Sequence, residues 1–283
     1  MIIDIHTHTF PDRIAQGAIK SLSHEAHILP HTDGTMQGLL SSMEEAGVDI
    51  SVVMPVATSP EQVVKINNTS IRNNETYSGK IISFGCMHPD FEDYRSELGR
   101  LKAAGIKGIK IHPVYQKHDI DDKAFLNIID CAAENNLIVL THAGLDIGFP
   151  GVVHCSPQMC RNVADRIGDF KFILAHMGGW RNWEEVPQLL ADTKVMLDTS
   201  FASEEIEPLP EDCSYWEGKD INMLGKKDYE KIIAAFGADR ILYGSDSPWT
   251  EQKKSAAFIR SLSISEEDKN KILGENARYI MNI

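Results

Sequence analysis

Short apolar runs alternate along the chain with longer stretches whose apolar positions recur at helical spacing. The runs at 2–6, 50–56, 81–87, 108–112, 137–141, 170–175, 194–198 and 240–244 are apolar on both faces, the pattern of parallel strands covered by helices. Between them, 36–46 places Met36, Leu39, Leu40 and Met43 on one helical face, and 122–135 does so with Phe125, Ile128, Ile129 and Ala132. The stretches 229–236 and 252–262 read similarly, and Ser265, followed by Glu266, Glu267 and Asp268, opens a last helix reaching Tyr279. Gly47, Gly79, Gly105, Gly168 and Gly237 each stand just before a strand-like run, as helix-ending glycines do. Eight such units predict an α/β fold, a closed (β/α)8 TIM barrel. No Pro/Ser-rich linker or repeat divides the chain, so residues 1–283 read as one domain.

The segments after the runs are long, at 9–35, 113–121, 143–155 and 199–226, whereas those before the runs are short. In a barrel the loops after strands build the active-site face, so the extra length lies where a small molecule would bind. Composition narrows the classes. With 41 acidic against 28 basic residues the net charge is −13, which excludes a general nucleic-acid binder and a protein held on anionic membranes. No apolar run approaches the ~20 residues of a membrane span. The N-terminus has no basic segment followed by a long apolar core, as a secretion signal would. Five cysteines, an odd number without CxxC spacing, predict a reduced, cytoplasmic protein. The expected partner is a small-molecule substrate, with a homo-oligomer open.

Candidate chemistry gathers where runs end. In Asp4-Ile5-His6-Thr7-His8, alternate residues of a strand share a face, so Asp4, His6 and His8 are expected to point together into the barrel. Two imidazoles so spaced suit a metal ion; the bland alternative is a pair of satisfied polar residues at a strand end. Three later runs end in His142, His176 and Asp246, each followed at once or within two residues by Gly or Pro, and so reach the same rim. Neutral histidines with one carboxylate leave coordination open for water, as in a catalytic zinc site. Such a metal lowers the pKa of its water to about 7. Asp246 would ligate and accept a proton, and His176 would ligate or shuttle one. Lys110 and His112 share a strand face and would also point inward. Lys110 would pair with a substrate carboxylate, bridge a second metal if carbamylated, or simply pair with Asp4 or another buried carboxylate. Asp198, ending its own run, would orient a histidine. Trp180, Arg181 and Trp249 follow strand ends and are candidates for a substrate pocket, with packing or surface roles as the alternative.

In order, these motifs resemble the amidohydrolase superfamily, and within it the amidohydrolase-2 group of metal-dependent TIM-barrel enzymes similar to aminocarboxymuconate-semialdehyde decarboxylase. The resemblance runs from Asp4-Ile5-His6-Thr7-His8-Thr9-Phe10-Pro11 through Gly108-Ile109-Lys110-Ile111-His112-Pro113, Thr141-His142 and His176-Met177-Gly178-Gly179 to Tyr243-Gly244-Ser245-Asp246-Ser247-Pro248. It implies a divalent metal, zinc first and one ion rather than two, held by His6, His8, His142 and Asp246, with His176 as the catalytic histidine. TatD-like nucleases share the HxH start but carry Glu where this chain has Lys110. PHP phosphoesterases want a late Asp-x-His, where this chain has Asp246-Ser247-Pro248.

The expected reaction is hydrolysis of a small amide, lactone or ester by metal-activated water. The alternative is non-oxidative decarboxylation of a small carboxylic acid, and a second alternative is a non-catalytic barrel that only binds. Cations aimed at the metal, an Arg or Lys pair, would favour the lyase, and an uncharged pocket the hydrolase. A missing ligand or a plugged mouth would mark the binding protein.

Overall fold

The computed structural model describes residues 1–203 and 205–283; Glu204, inside the loop expected at 199–226, lies outside the described residues. Each of the eight runs contains a strand. They are β1 (Ile3–Thr7), β2 (Ile50–Val53), β3 (Ile81–Ser83) with its continuation β4 (Gly85–Cys86), β5 (Gly108–Ile111), β6 (Ile138–Thr141), β7 (Phe172–Leu174), β8 (Met196–Asp198) and β9 (Ile241–Leu242). All pair in parallel, in the order β1-β2-β3 and β4-β5-β6-β7-β8-β9. Backbone bonds close the ring at both seams. Phe84 N donates to Val53 O at 3.0 Å beside the break between β3 and β4, and Ile5 N donates to Tyr243 O at 2.8 Å between β1 and β9. The fold is the expected TIM barrel.

Helices follow the apolar periodicity. Met36–Ala46 has the expected bounds, with the Thr35 side chain accepting from Gly38 N and left-handed Gly47 (φ +68°) ending it. Ser265 caps the final helical region by accepting from Asp268 N, as its spacing predicts. The 9–35 segment is not simply a loop. It holds a helix at Asp12–Ala26, and the periodicity also passed over helices at Val63–Thr76, Tyr94–Ala103 and Pro157–Ile167. Polar residues such as Asn67, which bonds Cys86 and Glu97 in the interior, occupy helix positions where an apolar residue would have signalled burial. Among the described residues no helix is long and apolar enough to cross a membrane.

Two apolar layers result. Ile109, Ile111, Val139, Leu174, Leu197 and Ile241 pack outward against helices such as 122–135 and 229–236. Ile3, Ile5, Val52, Ile138, Leu140, Ile173 and Leu242 pack together with Ala277, Ile280 and Met281 of the last helix, filling the barrel below the site. The polar residues stand above this layer, at the carboxyl ends of the strands.

Candidate metal centre and its cavity

The seam between β1 and β9 builds the centre. His8 N donates to Ser247 O at 2.7 Å and Asp246 N to His6 O at 2.8 Å, which lays the Asp246 carboxylate against both imidazoles. His6 Nε2 and His8 Nε2 are 3.2 Å apart, and Asp246 Oδ1 lies 3.5 Å from the first and 3.1 Å from the second. Donors about 2.1 Å from one ion stand about 3 to 3.5 Å from one another, so this trio fits a single divalent metal. The tautomers agree. His6 Nδ1 donates to Asp198 Oδ2 at 2.8 Å and His8 Nδ1 to Met54 O at 2.7 Å, which leaves both Nε2 lone pairs facing the carboxylate. Two lone pairs and an anionic oxygen in a buried cluster repel one another unless a cation joins them.

His142 stands one ring further on. Its Nδ1 lies 3.0 Å from His176 Nε2, its Nε2 donates to Leu145 O at 3.0 Å, and its ring stacks on His112 at 4.4 Å. The structure therefore brings His6, His8 and Asp246 together and places His142 beside them, in a second group with His112 and Asp146. His176 Nδ1 is held by Ser200, whose carbonyl oxygen is 2.9 Å away. His176 and Asp246 both adopt left-handed backbone, with φ +58° and +70°, a conformation costly for non-glycine residues and concentrated at functional sites.

Asp198 orients the cluster. It accepts from His6 Nδ1, from His176 N at 3.1 Å, and from Ser200 N at 3.0 Å and its hydroxyl at 2.5 Å. Burial alone would raise the Asp198 and Asp246 carboxyls, but the imidazoles around them, His6 first, favour the ionised form strongly enough to hold both below the usual carboxylate range. Lys110 Nζ lies 3.1 Å from His6 Nε2 in the buried floor, and burial lowers its pKa to about 8.

Asp4 departs from expectation. It accepts from Ser245 N, Ser245 Oγ and Gln252 Nε2 at 2.6 to 2.9 Å, away from the metal trio. The register of β1 on β2 shifts between Asp4 and Thr7, and the two-residue alternation does not carry Asp4 to the metal-facing side of the His6 imidazole.

A cavity of about 730 Å³ opens above the centre, lined by His6, His8, Lys110, His112, His142, His176 and Asp246 with Trp180, Phe201, Trp249 and Tyr115. Trp180 and Trp249 line this cavity. Arg181 does not: its guanidinium is held by Asp220 and by the carbonyls of Asp220 and Asn222, over the faces of Trp180 and Trp183. An Arg side chain stacked and ion-paired in this way is turned from the cavity. Sequence reasoning passed over Ser200, Tyr115 and Asp146. For Asp146 the available signal was a lone acid between apolar Leu145 and Ile147 after a strand-end histidine.

One prediction concerns the metal-free protein. Burial lowers the pKa of His6 (to about 4), His112, His142 and His176, so they stay neutral in the fold while the unfolded chain protonates them below about pH 6.5. Stability is then lost as pH falls from 6.5. Asp4 and Asp146, both raised to about 6 by burial, oppose this below pH 6, because there the folded state binds their protons first. With four histidines lowered against two carboxyls raised, the net expectation is a stability that falls as pH drops from 6 to 5. Urea midpoints at stepped pH measure it, and a flat profile would contradict the neutral histidines.

The amidohydrolase family model matches residues 3–281. The chain belongs to that family, the amidohydrolase-2 group. No curated protein sequence matches it. Among solved structures it resembles 5-carboxyvanillate decarboxylase from Sphingomonas paucimobilis (15% identity, TM-score 0.69, covering 100% of this chain and 99% of that one). It also resembles an uncharacterized TIM-barrel protein from Bordetella bronchiseptica (15%, 0.76, 99% and 98%). A third is a dihydroxybenzoic acid decarboxylase from Polaromonas, with bound manganese and the inhibitor 2-nitroresorcinol (15%, 0.70, 99% and 96%). At this identity the likenesses establish the fold. They also correct the first expectation of activity: the similar structures include 5-carboxyvanillate and dihydroxybenzoate decarboxylases, which support decarboxylation rather than hydrolysis.

Proposed function

We propose that residues 1–283 act as one metal-dependent, non-oxidative decarboxylase of a small carboxylic acid. The observation that carries this reading is Lys110. One buried lysine, where a pair of cations would have favoured the lyase and an uncharged pocket the hydrolase, sets its ammonium beside His6 at the floor of a cavity walled by Trp180, Phe201 and Trp249. That floor suits a carboxylate and those walls suit an apolar or aromatic body. The named neighbours support the same class. A non-catalytic barrel would lack a ligand or have a plugged mouth; the cavity over His6, His8 and Asp246 supports an enzyme instead.

His6, His8 and Asp246 would hold one divalent ion, with His142 as the fourth ligand that the family resemblance implies. When bound, the ion supplies Lewis-acid stabilisation of an anionic substrate oxygen. Lys110 pairs with the substrate carboxylate and keeps it over the floor. His176, anchored through Nδ1 on Ser200, takes up at Nε2 the proton that enters with the acid and delivers it to the carbon that loses the carboxyl group, while the Nδ1 lone pair of His142 is left for the ion because its Nε2 donates to Leu145 O. The electron pair of the breaking carbon–carbon bond stays with that carbon, so carbon dioxide leaves and a C–H bond replaces it. The apolar walls exclude water from the carbanion-like charge.

The test is carbon dioxide release from hydroxybenzoates and aliphatic acids, with manganese or zinc supplied. Turnover of at least one acid is expected, falling by about 10²–10⁴-fold in His176→Ala. Carbon dioxide release unchanged by His176→Ala would remove the histidine from the mechanism.

A further inference from the structure

The metal centre occupies only one end of its cavity. About 730 Å³ is open there, roughly five times the ~150 Å³ that suffices for benzene. The remainder runs outward past Phe10, Pro11, Ile14 and Ile66 to a mouth lined by Arg13, from the helix Asp12–Ala26, and by Lys65 and Arg72, from the helix Val63–Thr76. All three cations are exposed. Lys65, Thr69 and Arg72 follow one another at helical spacing and so share a face. Thr69 Oγ1 donates to Lys65 O at 3.2 Å and accepts from Arg72 Nη2 at 3.1 Å, which holds the guanidinium on that face. None of the three is ion-paired among the described residues, whereas Arg100, Arg161, Arg181 and Lys254 each are. Asp12 is the one carboxylate lining this side; Asp146 and Asp246 stand at the metal end.

In a chain of net charge −13, three unneutralised cations at a cavity mouth mark a place for an anion that comes from outside. Water and salt keep each exposed pair weak, so the site needs a multiply charged group. A phosphate monoester carries about two negative charges and three acceptor oxygens at neutral pH, and arginine meets such oxygens with paired N–H donors. We propose that Arg13, Lys65 and Arg72 form a phosphate subsite, and that the acid processed here is a long one, with its carboxylate on Lys110 and a phosphate at its far end. The carboxylate end rests on the decarboxylase reading; the phosphate end rests on the mouth alone.

Binding by the metal-supplemented full chain tests it. Calorimetry compares benzoate with benzoates whose 4-position carries a short, medium or long alkyl chain ending in phosphonate, carboxylate or methyl. At least one phosphonate should bind about 10- to 100-fold tighter than the methyl-ended acid of the same length, and lose most of that gain between about 0.1 and 1 M salt. Combining Arg13→Gln, Lys65→Gln and Arg72→Gln should bring the pair within about threefold, with benzoate affinity and bound metal as in the native chain. Should the combined variant fail to fold, Arg13→Gln and Arg72→Gln singly should each cut the gain about threefold. The proposal is overturned if no phosphonate gains, if the gain survives the combined variant, or if the carboxylate-ended acid gains as much. It is also overturned if the combined variant changes the oligomeric state in sedimentation and not the phosphonate affinity, which would make this face a contact between copies. Carbon dioxide release judges the decarboxylase reading separately: a phosphonate gain without release from any acid keeps the subsite and removes the reaction, and release without the gain does the reverse.

Discussion

Replacing His6 or Asp246 with alanine is expected to lower bound divalent metal from about one equivalent per chain to below about a tenth, and carbon dioxide release by roughly 10³-fold or more. The reason is the geometry of the trio. His6 Nε2, His8 Nε2 and Asp246 Oδ1 lie within 3.5 Å of one another with tautomers fixed from behind by Asp198 and Met54. Losing one donor leaves too few to hold an ion against water. Because these residues stand above the apolar filling of the barrel, both variants should keep the native circular dichroism spectrum. Metal analysis separates the outcomes, and retention of full metal by both variants would sink the assignment.

Asp198→Ala is expected to act on stability and metal together. The carboxylate is wholly buried and receives His6, His176 and Ser200. Removing one member of a buried charged network costs about 3–5 kcal/mol, which for a chain of this size lowers the melting temperature by roughly 10 °C. Loss of the group that orients His6 should weaken metal binding by about 10- to 100-fold. Asp198→Asn, which keeps an oxygen for Ser200 but not the charge, should fall between. A melting temperature within about 2 °C of native would show that the network does not depend on this carboxylate.

Much of this was legible in the chain. The strand-end positions of His142, His176 and Asp246 follow from apolar runs stopping at a polar residue and Gly or Pro, and the barrel places such positions on one rim. Lys110 was legible as inward-facing because Ile109 and Ile111 flank it on a regular strand. Arg181 was misplaced because a surface carboxylate and two tryptophan faces lie within its reach, and long flexible side chains settle by such neighbours rather than by position. Hydrolysis was favoured over decarboxylation because the ligand set serves both. What separates them lies in the floor and walls of the cavity, which are assembled from residues far apart in sequence.

By itself, then, the sequence determined the eight strands, the barrel, and the residues carried to its rim, because period, β-branching and chain punctuation are local properties. The tertiary structure alone decided which of those residues meet. Asp4 is directed to Ser245 and Gln252 and not to the metal-facing side of the His6 imidazole, where the register of β1 on β2 shifts, a matter of pairing between strands. His6 finds Asp198 across 192 positions of chain. Asp246 reaches the imidazoles because closure of the barrel sets β9 against β1. Asp146 comes to lie beside the stacked rings of His112 and His142, which arrive from two different strand ends. Each depends on distances between distant segments, which the packing of the barrel fixes and local preference does not encode.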